Sequence, residues 1–168
     1  MVAVNISYQA IATAIAITSA DGNADGVWSS SALVDNQTDK YVDCLFGGSI
    51  QTGTISAAGT IDIYVAGSWD GVEFTAGADG GDVDITWGTT GNTHVDGYLD
   101  LKYVGSARVD VTDDDADVVF GPFSVAQAFG GIMPLEWCVI FKNNTGAAFH
   151  VTGTNNHLEY TGIEYTSA

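Results

Sequence analysis

Two stretches of this chain gather oxygen donors closely enough to suggest metal chemistry. The first, DVTDDDAD from Asp110 to Asp117, places five carboxylates within eight residues. Asp113, Asp115 and Asp117 alternate as the leading ligands of an acidic calcium loop do, but the pattern then fails. Val118 stands where the turn glycine belongs, and Ser124 where a bidentate acid should close the shell. On a strand the three carboxylates would also share one side and repel each other, so a solvated turn between two apolar runs is the better reading. The second stretch, DGNADG, follows D-x-N-x-D-G, with Asp21, Asn23 and Asp25 as candidate calcium ligands and Gly26 for the sharp turn. Position twelve of such a loop is Ala32, which cannot ligate, and flanking helices are not evident. An EF-hand is therefore rejected, which leaves a lone calcium in a β-protein loop or a plain Asp/Gly turn. No other cofactor is expected.

Other chemistries find no footing. There is no G-x-S-x-G elbow, and neither Cys44 nor Cys138 has a nearby histidine or helix start to lower its thiol pKa. His94, His150 and His157 match no zinc spacing. Phosphate-cradling loops are missing, as are the lysines and arginines that would hold phosphates. Carboxylate pairs suited to glycoside hydrolysis are so abundant that their presence carries no information. No catalytic residue is assigned, and the chain is not read as an enzyme.

The charge balance narrows the partners. Four Lys and Arg against 21 Asp and Glu give a net charge of −17, a field that repels nucleic-acid backbones. No apolar run reaches the length of a membrane span. The N-terminal MVAVNISYQAIATAIAITSA is apolar but has no basic residue ahead of it, so a cleaved signal is not expected. Aspartates far outnumber glutamates, 17 to 4, which suits turns and strands rather than helices.

Hydrophobic alternation with period two recurs along the chain. In TIDIYVA it sets Ile61, Ile63 and Val65 on one face. DVDITW, GYLDLKYV and RVDVT behave likewise, the second of these grouping Leu99, Leu101 and Tyr103. HLEYTGIEY changes phase at Gly162, where a β-bulge is expected. Further strands are expected at 27–34, 41–51, 117–126, 135–143 and 147–153, and a helix only at SVAQAFGG or AIATAIA. Eight to ten short strands separated by turns such as Asp70-Gly71, Asp79-Gly80-Gly81, Thr90-Gly91-Asn92 and Asn143-Asn144-Thr145-Gly146 predict an all-β antiparallel sandwich of the jelly-roll type. Residues 1–26 form an apolar arm or first strand; 27–168 form one sandwich with a Gly-rich insertion at about 72–96.

The run LEWCVIFK is apolar on both faces. Trp137, Val139 and Phe141 lie on one side, Cys138 and Ile140 on the other, so a second cover is needed: a loop or another subunit. Cys138 and Ile140, with Ile11 and Ile15 of the apolar N-terminal segment, are the candidate interface residues. Trp69, at the turn GSWDG, packs under its own loop or offers a sugar-stacking surface.

Several stretches together resemble virion structural proteins of tailed bacteriophages, specifically small jelly-roll head decoration (cement) proteins and related minor capsid proteins. They are DNQTDKYVDCLFGGSIQTG, GTIDIYVAGSWDG, FGPFSVAQAFGGIMPLEWCVIFKNNTGAAF and LEYTGIEY, within roughly 27–165. The resemblance implies an outer-surface capsid position, a homotrimer at local threefold sites, and the major capsid protein as partner. Assembly would take place in the host cytoplasm. The alternative is a tail or fibre component, or a carbohydrate-binding receptor module.

Overall fold

The computed structural model describes residues 4–69, 84–85, 101–152 and 155–167. The expected insertion at 72–96 lies outside these residues apart from 84–85, as do Leu99 and His94.

The strands are β1 (Val4–Tyr8), β2 (Thr13–Ala14), β3 (Trp28–Ser30), β4 (Val34–Asp35), β5 (Asp43–Gln51), β6 (Gly59–Ser68), β7 (Asp84–Ile85), β8 (Leu101–Val109), β9 (Asp117–Ser124), β10 (Glu136–Asn144) and β11 (His157–Ser167). Two one-turn helices, α1 (Asn36–Asp39) and α2 (Val125–Ala128), punctuate them. Each helix starts at a side-chain cap: Asp35 accepts from the amide of Gln37, and Ser124 from that of Gln127. The helical alternative at SVAQAFGG is thus realised. AIATAIA is not helical: it contributes β2 and sends Ile15 and Ile17 into the core.

All pairings are antiparallel. One sheet runs β1-β11-β5-β9, with β2 also on β11; the other runs β7-β3-β10-β6-β8, with β4 also on β10. β1 and β2 occupy one position along β11, and β3 and β4 one position along β10. Ser31 fills the break between the latter pair, its Oγ accepting the Val139 amide that would otherwise lack a ladder partner. Counted this way the first sheet has four strand positions and the second has four plus the two-residue β7 at its edge. Successive strands pass between the sheets except at β6–β8, and this is the order of a jelly roll.

The core lies between the sheets. Ile61, Ile63 and Val65 of β6 and Trp137, Val139 and Phe141 of β10 face Cys44, Phe46 and Ile50 of β5, Phe120 of β9, and Leu158 and Tyr160 of β11. Aromatic contacts tie the layers: Trp137 meets Phe46 at 5.9 Å and Tyr160 at 5.6 Å, and Phe120 meets Phe141 at 5.5 Å.

Three local expectations are corrected. β11 shows no bulge at Gly162, since its pairing with β5 and with β1 is continuous. Gly162 instead faces inward under the Tyr41 ring, which would lie 2.5 Å from an added Cβ. The apparent phase change arises because Ile163 and Tyr165 remain on the outer face. Register shifts occur elsewhere: in β9, where Gly121 and Pro122 stand against Gly47, and in β8, where Val104 is extra between the partners of Ile63 and Tyr64. The β8 bulge turns Leu101 and Tyr103 outward while Ala107 and Val109 face the core. Residues 147–153 form no strand among those described; only Phe149 bridges Thr52.

The close approach of β5 to β11 yields a test. A Cβ on Gly48 would lie 1.9 Å from the carbonyl oxygen of His157. Gly48→Ala must therefore push these core strands apart. Urea denaturation should show a loss of about 1–3 kcal/mol or more, the usual range for overpacking.

Candidate functional site

The aspartate-rich stretch is a tight turn between β8 and β9. Asp113 accepts the Asp110 amide at 2.6 Å, and the Asp113 amide donates back to the Asp110 carbonyl at 2.9 Å. Asp114 reaches across to the Ile55 amide at 2.9 Å. Thr52 Oγ1 donates to the Asp113 and Ala116 carbonyls. Asp115 takes a left-handed conformation, φ 52°, which aspartate tolerates better than most residues. The carboxylates of Asp110, Asp113 and Asp114 are thus occupied in holding backbone.

The DGNADG loop is likewise docked on neighbouring chain. Asp21 accepts from the side-chain amide of Asn156 at 2.8 Å, and Asp25 from the Gly146 amide at 2.8 Å. Asn23 is buried; its Nδ2 donates to Ser29 Oγ, and its carbonyl takes the amides of Phe149 and of the Asn143 side chain. Asn23 Oδ1 is buried without a hydrogen-bond partner. The Ala20, Ala24 and Val27 carbonyls each accept a backbone amide. The candidate calcium ligands are thus tied to separate neighbours. Among the described residues no group of three or more His, Cys, Asp and Glu could hold a metal ion. His150 lies 3.9 Å from Asp115, and His157 3.1 Å from Glu159, both as pairs.

Three of the four candidate interface positions are corrected by burial within this chain. Cys138 and Ile140 are 0% exposed, packed with Ala66 against Trp28, Leu33, Tyr64 and Leu101 of the same chain. The outer face of β10 therefore has cover from its own sheet, where Trp28 and Tyr64 lie 5.1 Å apart and Tyr103 extends the row. Ile15 is a core residue at 7% exposure, because it sits two residues from Ile17 on the inward face. Ile11, at 79% exposure, is the one of the four that is open to a partner. Trp69 is 45% exposed and rests edge-on against Phe129 at 5.7 Å.

The sequence reading missed where exposed apolar surface concentrates. Of the twelve large hydrophobic side chains exposed among the described residues, Val4, Ile6, Tyr8, Ile132, Leu135 and Tyr165 belong to one end of the molecule. There the β1–β11 ribbon, the α1 turn and the 130–135 loop line an open groove of about 1240 Å³. Asp43 anchors one wall: its carboxylate accepts from the Cys44 and Ala126 amides at 2.7 and 2.9 Å and from Ser124 Oγ at 2.7 Å. β5 and α2 are thereby clipped together beside the groove. The sequence signal was the odd-phase pair Ile163 and Tyr165, apolar yet out of step with Leu158 and Tyr160.

Burial, then the carboxylates of Asp43 and Asp39, push the Cys44 thiol up to about 12. Burial also raises the phenols of Tyr41, Tyr64 and Tyr160. Neither cysteine is in a disulfide.

No protein family, curated protein or solved structure matches this chain.

Two outcomes follow. A thiol raised in the folded state contributes stability that is complete below its unfolded value of 9.0 and lost as pH climbs toward about 12. The three tyrosines act in the same direction. Denaturation midpoints should therefore fall with rising alkalinity above pH ~9, and Cys44→Ala should lessen the fall. Asp43→Ala, which strips three donors of their acceptor, should cost about 1–3 kcal/mol in urea denaturation.

Proposed function

We propose that this chain is a virion structural protein that decorates the outer surface of a tailed-phage head and bridges subunits of the major capsid protein. What carries the reading is the contrast between a chain of net charge −17 and an apolar end built, among the described residues, from β1, β11 and the 130–135 loop. A strongly negative exterior keeps copies soluble and apart. The apolar end is suited to burial against a protein surface, where each large side chain would contribute about 1.5–3 kcal/mol before ordering costs. The jelly roll supplies a rigid frame behind it. Binding as a homotrimer would let one unit brace several capsid subunits, with no catalysis involved.

Attachment through the N-terminal segment is refined by the fold. Removing residues 1–20 would take away β1, β2 and the core residues Ile15, Ile17 and Ala20, so that deletion would unfold the sandwich. Point changes on the outer face are the proper probe. Ile6→Ser with Tyr165→Ser should leave circular dichroism unchanged and lower occupancy on purified heads at least ~10-fold, equivalent to roughly 1.4 kcal/mol. Val119→Ser, a 76% exposed position on β9, should leave occupancy unchanged.

Antibody labelling of particles under the electron microscope tests the reading itself. Regular label over the head is expected. Label at the tail would favour a tail or fibre component that binds glycans, for which the half-exposed Trp69 is the supporting observation. Absence of label from any particle would overturn the virion assignment.

A further inference from the structure

We propose that the partner joins this protein as an added β-strand, an extended segment of apolar residues interspersed with lysine or arginine that pairs with the open edge of β1. The inference rests on the reading of this end as the attachment surface and specifies how attachment is made.

The edge is open in a definite phase. β1 ends its sheet among the described residues, with β11 as its one strand neighbour. The Gln9 amide donates to the Gly162 carbonyl, and Gln9 is the next position in the β1–β11 register. Antiparallel pairs alternate between bonded and non-bonded partners. Asn5 and Ser7 are therefore bonded to β11, while the amides and carbonyls of Val4, Ile6 and Tyr8 point away from it. The same three residues carry exposed apolar side chains, opposite Tyr165 and Ile163 of β11. Long apolar edges are ordinarily blunted by a charge, a proline or a bulge. VNISY has none of these. Strand addition takes affinity from such a backbone edge and specificity from adjoining pockets, and here Ile6 and Tyr8 also line the groove.

Charge selects the occupant. Asp39 and Glu164 both lie close enough to the groove residue Tyr41 to perturb its phenol, and together they outweigh Lys40, the one cation among the groove's described lining residues. Neither carboxylate has a hydrogen-bond or ion-pair partner among the described residues. A second copy would bring the same acids and a further net charge of −17, whereas a cationic segment would meet them with opposite sign.

The test uses the full chain and two short synthetic peptides, one alternating valine with lysine and one alternating valine with glutamate. Hydrogen exchange should show the lysine peptide protecting the amides of Ile6 and Tyr8, with affinity at least ~10-fold above the glutamate peptide at low salt. Ile6→Pro removes an outward amide while leaving the bonded positions Asn5 and Ser7 in place, and it should abolish that protection. Should Ile6→Pro fail to fold, Asp39→Lys with Glu164→Lys is the second probe and should reverse the peptide preference. Protection elsewhere, equal binding of both peptides, or protection of the Ile6 and Tyr8 amides by self-association of the protein alone would overturn the proposal. If Ile6→Pro lowers occupancy on heads no more than Ile6→Ser does, strand addition is wrong and surface attachment stands. If the lysine peptide binds as expected but no particle carries the protein, the virion reading falls and strand addition stands.

Discussion

Everything in this molecule depends on β10 being buried on both faces. Trp137, Val139 and Phe141 fill the space between the sheets, and Cys138 and Ile140 sit beneath Trp28, Leu33, Tyr64 and Leu101 on the other side. A central strand of this kind cannot slip by one residue without exchanging two different packings. Its neighbours β3, β4 and β6 inherit its register, and the opposite sheet is positioned through the contacts of Trp137 with Phe46 and Tyr160. One cost is visible: Trp137 Nε1 is buried without a hydrogen-bond partner. The ring's contacts with both sheets outweigh an unmet donor worth about 1–3 kcal/mol.

Six of the described aspartates serve as fasteners. Asp35 starts α1, Asp43 ties β5 to α2, Asp110 and Asp113 close the β8–β9 turn, Asp114 holds Ile55, and Asp25 holds Gly146. In each case a short carboxylate satisfies backbone amides that a turn would otherwise leave unpaired. This explains why aspartate predominates over glutamate, whose longer side chain suits such local bonds less well. Within the acidic stretch 110–117, Asp110, Asp113 and Asp114 are such turn caps. The residual negative field is a consequence with its own use, since it leaves the β1–β11 end as the one concentrated apolar surface among the described residues.

Legibility followed physical range. Alternation reports which residues share a face, and it located β6, β10 and β11 because their inward side chains recur every second residue. It did not say which face was inward for Leu101 and Tyr103, because the bulge at Val104 reverses the phase and leaves no mark in composition. Gly162 read as a bulge from spacing, yet its smallness answers to Tyr41, more than a hundred residues away. The exposed end was hidden for the same reason. Ile6, Ile132 and Tyr165 are scattered along the chain and become neighbours only when the sheets close.

By itself the sequence determined the fold class, the turn chemistry and the sign of the surface, because these rest on local propensity, period and summed charge. Tertiary structure alone decided which apolar residues were covered. It buried Ile15, Cys138 and Ile140, bound the candidate calcium loop to Asn156, Gly146 and Ser29, and left β1 with an open edge beside an apolar groove. Whether a side chain is buried depends on what long-range pairing brings to it, and a one-dimensional pattern does not contain that distance.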